Sequence, residues 1–427
     1  MKACATCGRL YPDDAGFCQV DGAALISATQ APVVADGQDP RIGQIFCQRY
    51  QVRRVVADGG MGRVYEALDM AQRQHVALKI LHPEVADNAI AVQRFKREFE
   101  VSQKLVHPHI VQVLDFKPTH DNTFALVMEF LYGEELRATL KRESVISPAR
   151  MIRMLSQVAL ALDEAHAKNF VHRDLKPDNL FLCQTREGDN VKILDFGSVK
   201  DRGDGAQKLT VHGTTIGSPF YMAPEQAQGL DTLDQRADVW ALSAIVYECV
   251  AGRVPFSGTN GPSILLDILT KEPKPASVVG RRQKHGVPAG LDAVLAQSFK
   301  KNPALRTPSV GALADAVGVA YGLSGTHHDW AKTPEAELSA AIDAKLPSLV
   351  QAAGSASDAT DTDALDELVD ELASAPQSAK SSVKPSLPAA EVIAPAAVRL
   401  SWGIVLAVGG GALLVGVLIV LMVFLAR

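Results

Sequence analysis

One stretch constrains the fold of this chain more than any other: residues 171 to 197, VHRDLKPDNLFLCQTREGDNVKILDFG. It sets Asp174, Lys176, Asn179 and Asp195 on polar segments between short apolar runs, where a rigid scaffold could hold all four side chains toward one cleft. The residue types fit one chemistry. A carboxylate such as Asp174 can orient an attacking hydroxyl and take its proton. Asn179 and Asp195 offer the hard oxygen donors that Mg²⁺ requires, and Lys176 can neutralise charge on a phosphoryl group in flight. The alternative is a solvated polar turn between two strands, which would not call for these residue types in this order.

The stretch resembles the catalytic loop and the D-F-G segment of protein kinases, through His172-Arg173-Asp174 and Asp195-Phe196-Gly197. Lys176 followed by Pro177 resembles the serine/threonine branch. The resemblance implies an α+β, two-lobed fold over residues 41–322, with a β-rich small lobe and a helical large lobe. It also implies ATP and Mg²⁺ in the cleft and protein substrates with Ser or Thr acceptors.

Upstream, QVRRVVADGGMGRVYEALD reads as strand, glycine-rich turn, strand. Gly59, Gly60 and Gly62 would let backbone N–H groups approach phosphates. A hairpin turn has the same look, so the turn gains meaning only from its position. The segment resembles the family's phosphate-covering loop, with Ala57 where the family has its first glycine. That resemblance implies nucleotide contacts from Val56, Ala57, Val64 and Ala77, and a phosphate-binding role for Lys79 at the end of Val76-Ala77-Leu78. It pairs Lys79 with Glu98 in the RFKRE string of the next helix, with Glu100 as the competing choice. In AVQRFKREFEVSQKLV, the residues Phe95, Phe99, Leu105 and Val106 are expected near one apolar face. By the same resemblance Met128 is the gatekeeper, backbone groups of Glu129 and Leu131 bind the adenine edge, and Leu180 and Leu182 form the apolar floor.

Residues 148 to 168 show helical periodicity through Met151, Leu155, Val158 and Leu162 and read as a core helix. Residues 198 to 223 are rich in glycine and hydroxyls. Thr210, Thr214 and Thr215 are either regulatory phosphosites, with Arg173 as the docking cation, or ordinary loop polarity. Ser218 reads as structural. Ala223-Pro224-Glu225 resembles the family's closing anchor, with Arg306 as its expected partner, and Asp238 opens what resembles the central buried helix that fixes the catalytic-loop backbone.

The termini carry other signals. Residues 1–27 hold Cys4, Cys7 and Cys18, with Asp21 where a repeated zinc knuckle would have its fourth cysteine. This head resembles degenerate bacterial zinc ribbons. A structural Zn²⁺ on three sulfurs and one carboxylate and a metal-free head stand as its two readings. Residues 28–40 read as linker, and residues 323–398, rich in Ala, Ser, Pro and Asp, as a disordered tether. Within the tether, residues 361–374 could form one acidic amphipathic helix. Residues 402–426 carry no charged side chain and are long enough to cross a bilayer as a helix. Arg399 on their linker side places the catalytic domain in the cytoplasm of a single-pass inner-membrane protein. Glycines 409, 410, 411 and 416 would allow close helix pairing and so a homodimer. The net charge of −5 gives no basic field for nucleic acid, and the six cysteines, three clustered in the head and three scattered, show no disulfide framework. Two rival functions remain, a pseudokinase scaffold and a small-molecule kinase. Ala57 favours the first, and the anchor with its hydroxyl-rich loop disfavours the second.

Overall fold

The computed structural model describes residues 2–4, 10–11, 25–27, 39–60, 62–119, 123–196, 200–201, 219–230 and 233–354. In the head, three short strands, β1 (Lys2–Cys4), β2 (Leu10–Tyr11) and β3 (Leu25–Ser27), pair in the order β2-β1-β3.

The small lobe is an antiparallel sheet of six strands in the order β4-β5-β6-β7-β9-β8. These are β4 (Ile45–Phe46), β5 (Tyr50–Asp58), β6 (Gly62–Asp69), β7 (Gln74–Leu81), β8 (Val113–Pro118) and β9 (Phe124–Glu129). Period-two alternation decides its faces. Val76, Leu78 and Ile80 bury one face with Val52, Tyr65, Ala67, Ala125 and Val127. Leu81 and Leu126 on the opposite face meet Phe95, which belongs to α2 (Ala89–Ser102), preceded by the one-turn α1 (Pro83–Ala86). Lys79 shares that second face, so the sheet aims its ammonium at α2. Gly62 is held by packing: a Cβ there would lie 2.3 Å from the Ile80 carbonyl oxygen of the neighbouring strand.

After β10 (Gly133–Glu135) and α3 (Leu136–Glu143), the large lobe is built on α4 (Pro148–Ala167). Ser147 caps α4 by accepting from the Arg150 N–H, and Pro148 occupies the first turn, where its missing N–H costs nothing. Strand β11 (Phe170–Val171) leads into the catalytic loop. The hairpin of β12 (Leu180–Thr185) and β13 (Gly188–Ile193) then carries Asn179 just before it and Asp195 just after it. Strand β14 (Lys200–Asp201) pairs back on β11. Beyond the one-turn α5 (Pro224–Ala227), α6 (Arg236–Ala251) is buried from Ala237 to Ala251 and ends at Gly252 in the left-handed region. Helices α7 (Gly261–Thr270), α8 (Ala276–Val279), α9 (Ala289–Ser298) and α10 (Val310–Ala320) complete the lobe.

The expected tether from residue 323 is corrected by three further helices, α11 (His327–Trp330), α12 (Glu335–Asp343) and α13 (Leu346–Gly354). The small-residue composition concealed a buried stripe: Trp330, Leu338 and Ile342 are all in the large-lobe core. Trp330 lies so close to Gly318 that a Cβ there would sit 2.1 Å from the ring. Arg153 Nε on α4 donates to the Thr333 carbonyl at 3.0 Å, and the Glu335 N–H donates to the Glu187 carbonyl at 2.9 Å. Val106 is a second correction. It follows the end of α2 and is 71% exposed, while Leu105 beside it is buried. Cys7, Cys18, Asp21 and residues 355–427, including the apolar run 402–426, lie outside the described residues, as do the Cys4 side chain and the loop threonines. Among the described residues no helix is long and apolar enough to cross a membrane, and no group of three or more His, Cys, Asp or Glu could hold a metal ion.

Trp330→Ala therefore opens a cavity in the large lobe, and chemical denaturation should show a loss of about 3–5 kcal/mol. An unchanged unfolding midpoint would mean that residues 327–354 are no part of the folded lobe.

Candidate active site

Two groups of polar side chains converge, one from each lobe. From the small lobe, strand register places Val64 beside both Ala57 and Lys79, Ala77 beside Met128, and Lys79 beside Leu126. Lys79 Nζ donates to Glu98 Oε2 at 3.0 Å and lies 3.8 Å from Asp195 Oδ2. This settles the lysine's partner, because Glu98 is three residues from the buried Phe95 on α2 while Glu100 is exposed and meets Lys96. The Phe95 ring lies 5.7 Å from the ammonium.

The electrostatics follow from one cation between two carboxylates. Burial would lower the Lys79 pKa, but the Asp195 and Glu98 carboxylates overcome it and hold the amine charged. Burial pushes Glu98 the other way, up to about 7, with Asp195 adding to the rise and Lys79 opposing it.

From the large lobe, the catalytic loop is fixed through its backbone. Asp238 is fully buried and accepts from the His172 N–H at 2.9 Å and the Arg173 N–H at 2.8 Å, while His166 Nε2 lies 2.8 Å from it. Burial alone would raise the Asp238 pKa, yet these partners hold it below the usual carboxylate range. The loop residue Arg173 sits at φ 69° and Asp195 at φ 56°, both left-handed conformations that non-glycine residues rarely adopt. Gln226 clamps the loop from the anchor side: its Nε2 donates to the Arg173 carbonyl at 2.8 Å. The anchor is itself secured where Arg306 meets Glu225 through two bonds of 2.8 and 3.0 Å, both side chains buried.

On this frame Lys176 Nζ donates to Asp174 Oδ2 at 2.7 Å. Asn179 Nδ2 donates to the Asp174 carbonyl at 2.7 Å, which turns the amide so that its oxygen remains as a metal donor. His172 Nε2 meets the Leu194 carbonyl at 3.0 Å and packs edge-on against Phe196, tying the loop to the segment that carries Asp195. Leu180 and Leu182 are buried beneath. The donor set, one amide oxygen and one carboxylate, suits Mg²⁺. The cradle suits phosphates too, since a Cβ at Gly60 would meet no atom within 4 Å and the turn has room over its backbone.

The structure thus brings together Lys79, Glu98, Asp174, Lys176, Asn179 and Asp195. It also shows why Ala57 is tolerated. Position 57 lies inside β5, paired with Val64 and without the positive φ that would demand glycine. Three contributors escaped the sequence reading: His166, Gln226 and Arg137. Arg137 Nη1 meets Glu248 at 2.8 Å and its Nε meets Asp178 at 3.3 Å, linking the turn before Asn179 to α6. Gln226 had a local signal, since it directly follows Pro224-Glu225, whereas Arg137 and His166 had none.

Residues 50–312 match the protein kinase domain family. Serine/threonine-protein kinase pkn3 of Myxococcus xanthus is 35% identical over 277 residues, covering 64% of this chain and 50% of its own. PknD of Mycobacterium tuberculosis is 36% identical over 289 residues, covering 67% of this chain and 42% of its own. PknA of the same species is 36% identical over 282 residues, covering 65% and 62%. The chain spans about half the length of the curated relatives it matches. Among solved structures, the Mycobacterium tuberculosis PknI kinase domain is similar with a TM-score of 0.50 and 28% identity, over 65% of this chain and 97% of that one. With the matched residues spanning both lobes and every side chain of the cleft described above, the chain belongs to the protein kinase domain family.

Proposed function

We propose that the chain is a serine/threonine protein kinase that transfers the γ-phosphate of ATP to protein hydroxyls. The observation that carries this reading is the placement of Lys79 between Glu98 and Asp195, across the cleft from an Asp174 already hydrogen-bonded to Lys176. Bound ATP with Mg²⁺ supplies the phosphoryl group and part of the neutralising charge. Asp174 orients the acceptor hydroxyl and takes its proton. Lys176 holds positive charge beside the transferring group, Lys79 steadies the phosphates, and Asn179 with Asp195 hold the metal. Gly59, Gly60 and Gly62 close the turn over the phosphates, and the strand positions Val64, Ala77 and Met128 line the nucleotide side.

The proposal extends to regulation by phosphorylation of Thr210, Thr214 or Thr215. Its support is Arg173, which is half-buried and whose pKa is lowered by burial, against the pull of Asp238 and with the nearby Arg97 cation adding to the fall. A phosphate drawn to this pair of cations would relieve their repulsion. Anchoring through residues 402–426, with the kinase cytoplasmic, and Zn²⁺ in the head are proposed from sequence alone. Membrane fractionation and metal analysis of purified protein test them.

Asp174→Asn should lower phosphate transfer to a generic acceptor protein by about 10²–10⁴-fold while leaving nucleotide binding in place. Equal activity in variant and wild type would favour a scaffold without this chemistry. The pH dependence has a definite sign. Glu98 must be ionised to pair with Lys79, and its pKa lies at about 7, so kcat/KM should fall as pH drops through that value. In Glu98→Gln the rate should drop about 10²-fold and the acid limb should vanish; persistence of the limb would assign it to another group. Active protein should carry phosphate on one of the three loop threonines by mass spectrometry, and phosphatase treatment should reduce its rate. Fully active protein with none of them modified would refute the loop switch.

A further inference from the structure

Arg63 is the first residue after the last glycine of the phosphate loop, and it faces Asp58 across the β5–β6 hairpin. Its Nε donates to Asp58 at 2.8 Å, and its Nη2 bonds the same carboxylate. An exposed pair such as this contributes little by itself, and Asp58 is 45% exposed. The arrangement gains its hold from a second carboxylate outside the hairpin. Arg63 Nη1 donates to Asp39 Oδ2 at 2.7 Å, and the Asp39 side chain is only 6% exposed.

Asp39 is itself fully engaged. Its Oδ1 accepts from the Arg41 N–H at 2.9 Å, and its Oδ2 also accepts from the Tyr65 hydroxyl at 2.8 Å. Burial would raise its pKa, but these three partners hold it below the ordinary carboxylate range. Tyr65 is part of the small-lobe core, so the carboxylate is fixed to the sheet while it grips the arginine. From the other side of the turn, His82 Nε2 lies 2.9 Å from the Gly59 carbonyl and 3.1 Å from Asp58 Oδ1. The base of the glycine turn is thereby fastened on both strands, once by His82 and once by the Asp39–Arg63 pair. Asp39 precedes the residues that match the kinase family, in a segment whose composition reads as linker.

We propose that Asp39 is a positioning residue for the phosphate loop, acting through Arg63, so that nucleotide affinity depends on a side chain just outside the matched domain. The inference rests on the kinase reading in taking the turn as the phosphate site. A loop whose base is held in place loses less freedom when it closes on a ligand, and that saving appears as affinity. Loss of the Asp39 charge frees Arg63 to follow Asp58 alone, and the turn then samples more conformations before it binds.

The test uses the full chain and three variants, Asp39→Asn, Arg63→Met and Asp39→Glu. It measures KM for ATP, kcat, the Kd of a non-hydrolysable ATP analogue with Mg²⁺, and the melting temperature without nucleotide. Asp39→Asn should raise KM and analogue Kd together by about three- to tenfold, with kcat within about twofold, and Asp39→Glu should recover part of the loss. The double variant Asp39→Asn/Arg63→Met should bind no worse than Arg63→Met alone, because the two act as one unit. If Asp39→Asn does not fold, Arg63→Met carries the same KM test. Unchanged KM and Kd, whether or not the melting temperature falls, would overturn the inference and leave Asp39 a stabiliser of the lobe; so would a fall in kcat at constant KM. Analogue binding needs no phosphate transfer. A wild type that binds the analogue but transfers nothing would end the kinase reading while the Asp39 comparison still stood.

Discussion

The position of the catalytic machinery depends on one buried carboxylate. Asp238 enters the large lobe on the first turn of α6, has no solvent contact, and accepts backbone N–H groups from two consecutive residues of the catalytic loop. A charge so buried is tolerable only when fully hydrogen-bonded, and the loop backbone together with His166 bonds it. The dependence runs both ways. The strained left-handed turn at Arg173 is held because Asp238 and Gln226 bind the peptide groups on either side of it, and Asp238 stays ionised because His166 first, and then the N–H groups of that turn, oppose the cost of its burial. Asp174 is the next residue, so its carboxylate inherits this geometry without needing a rigid contact of its own.

The small lobe solves a different problem, that of presenting a lone cation to a cleft. Lys79 stands at the end of an alternating strand whose other face fills the lobe's core, so its direction is set by packing and its charge by Glu98 and Asp195. Neither carboxylate alone accounts for the arrangement. Glu98 ties the lysine to α2, and Asp195 ties it to the β12–β13 hairpin and through that to α4. The ammonium is therefore one point at which the two lobes are electrostatically joined, the Lys192–Glu129 pair at 2.6 Å between β13 and β9 being another.

How much of this could be read in the sequence varied with distance along the chain. Asp174, Lys176, Asn179 and Asp195 were legible because one contiguous stretch carries them and because phosphoryl transfer needs a base, a cation and two oxygen donors. The Arg306–Glu225 pair was legible only through resemblance, since 81 residues separate its members. The choice between Glu98 and Glu100 turned on helix phase, which the glutamates' own surroundings left open and the packing of Phe95 decided. The helices from residue 327 to 354 were missed for a compositional reason. They open a longer segment rich in Ala, Ser, Pro and Asp, and only Trp330, Leu338 and Ile342 betray a buried face. Asp39 was missed because a short polar segment before a strand looks like a linker whether or not one of its side chains is buried.

The same reasoning bears on Ala57, the one departure from the family's glycine pattern. A glycine is required where the backbone takes a positive φ or where a neighbour leaves no room for a Cβ, and the three glycines of the turn differ in this respect. Gly62 is held by the Ile80 carbonyl oxygen at 2.3 Å from its missing Cβ, while a Cβ at Gly59 would make only an ordinary contact with the Gly62 carbonyl oxygen at 3.6 Å and one at Gly60 would meet open space. Position 57 meets neither condition: it is an ordinary strand residue within the β5–β6 ladder. An alanine there adds one methyl group on β5 and keeps its ladder pairing with Val64. The departure thus falls on a paired strand residue before the turn, and it gives no physical reason to doubt the chemistry of the cleft.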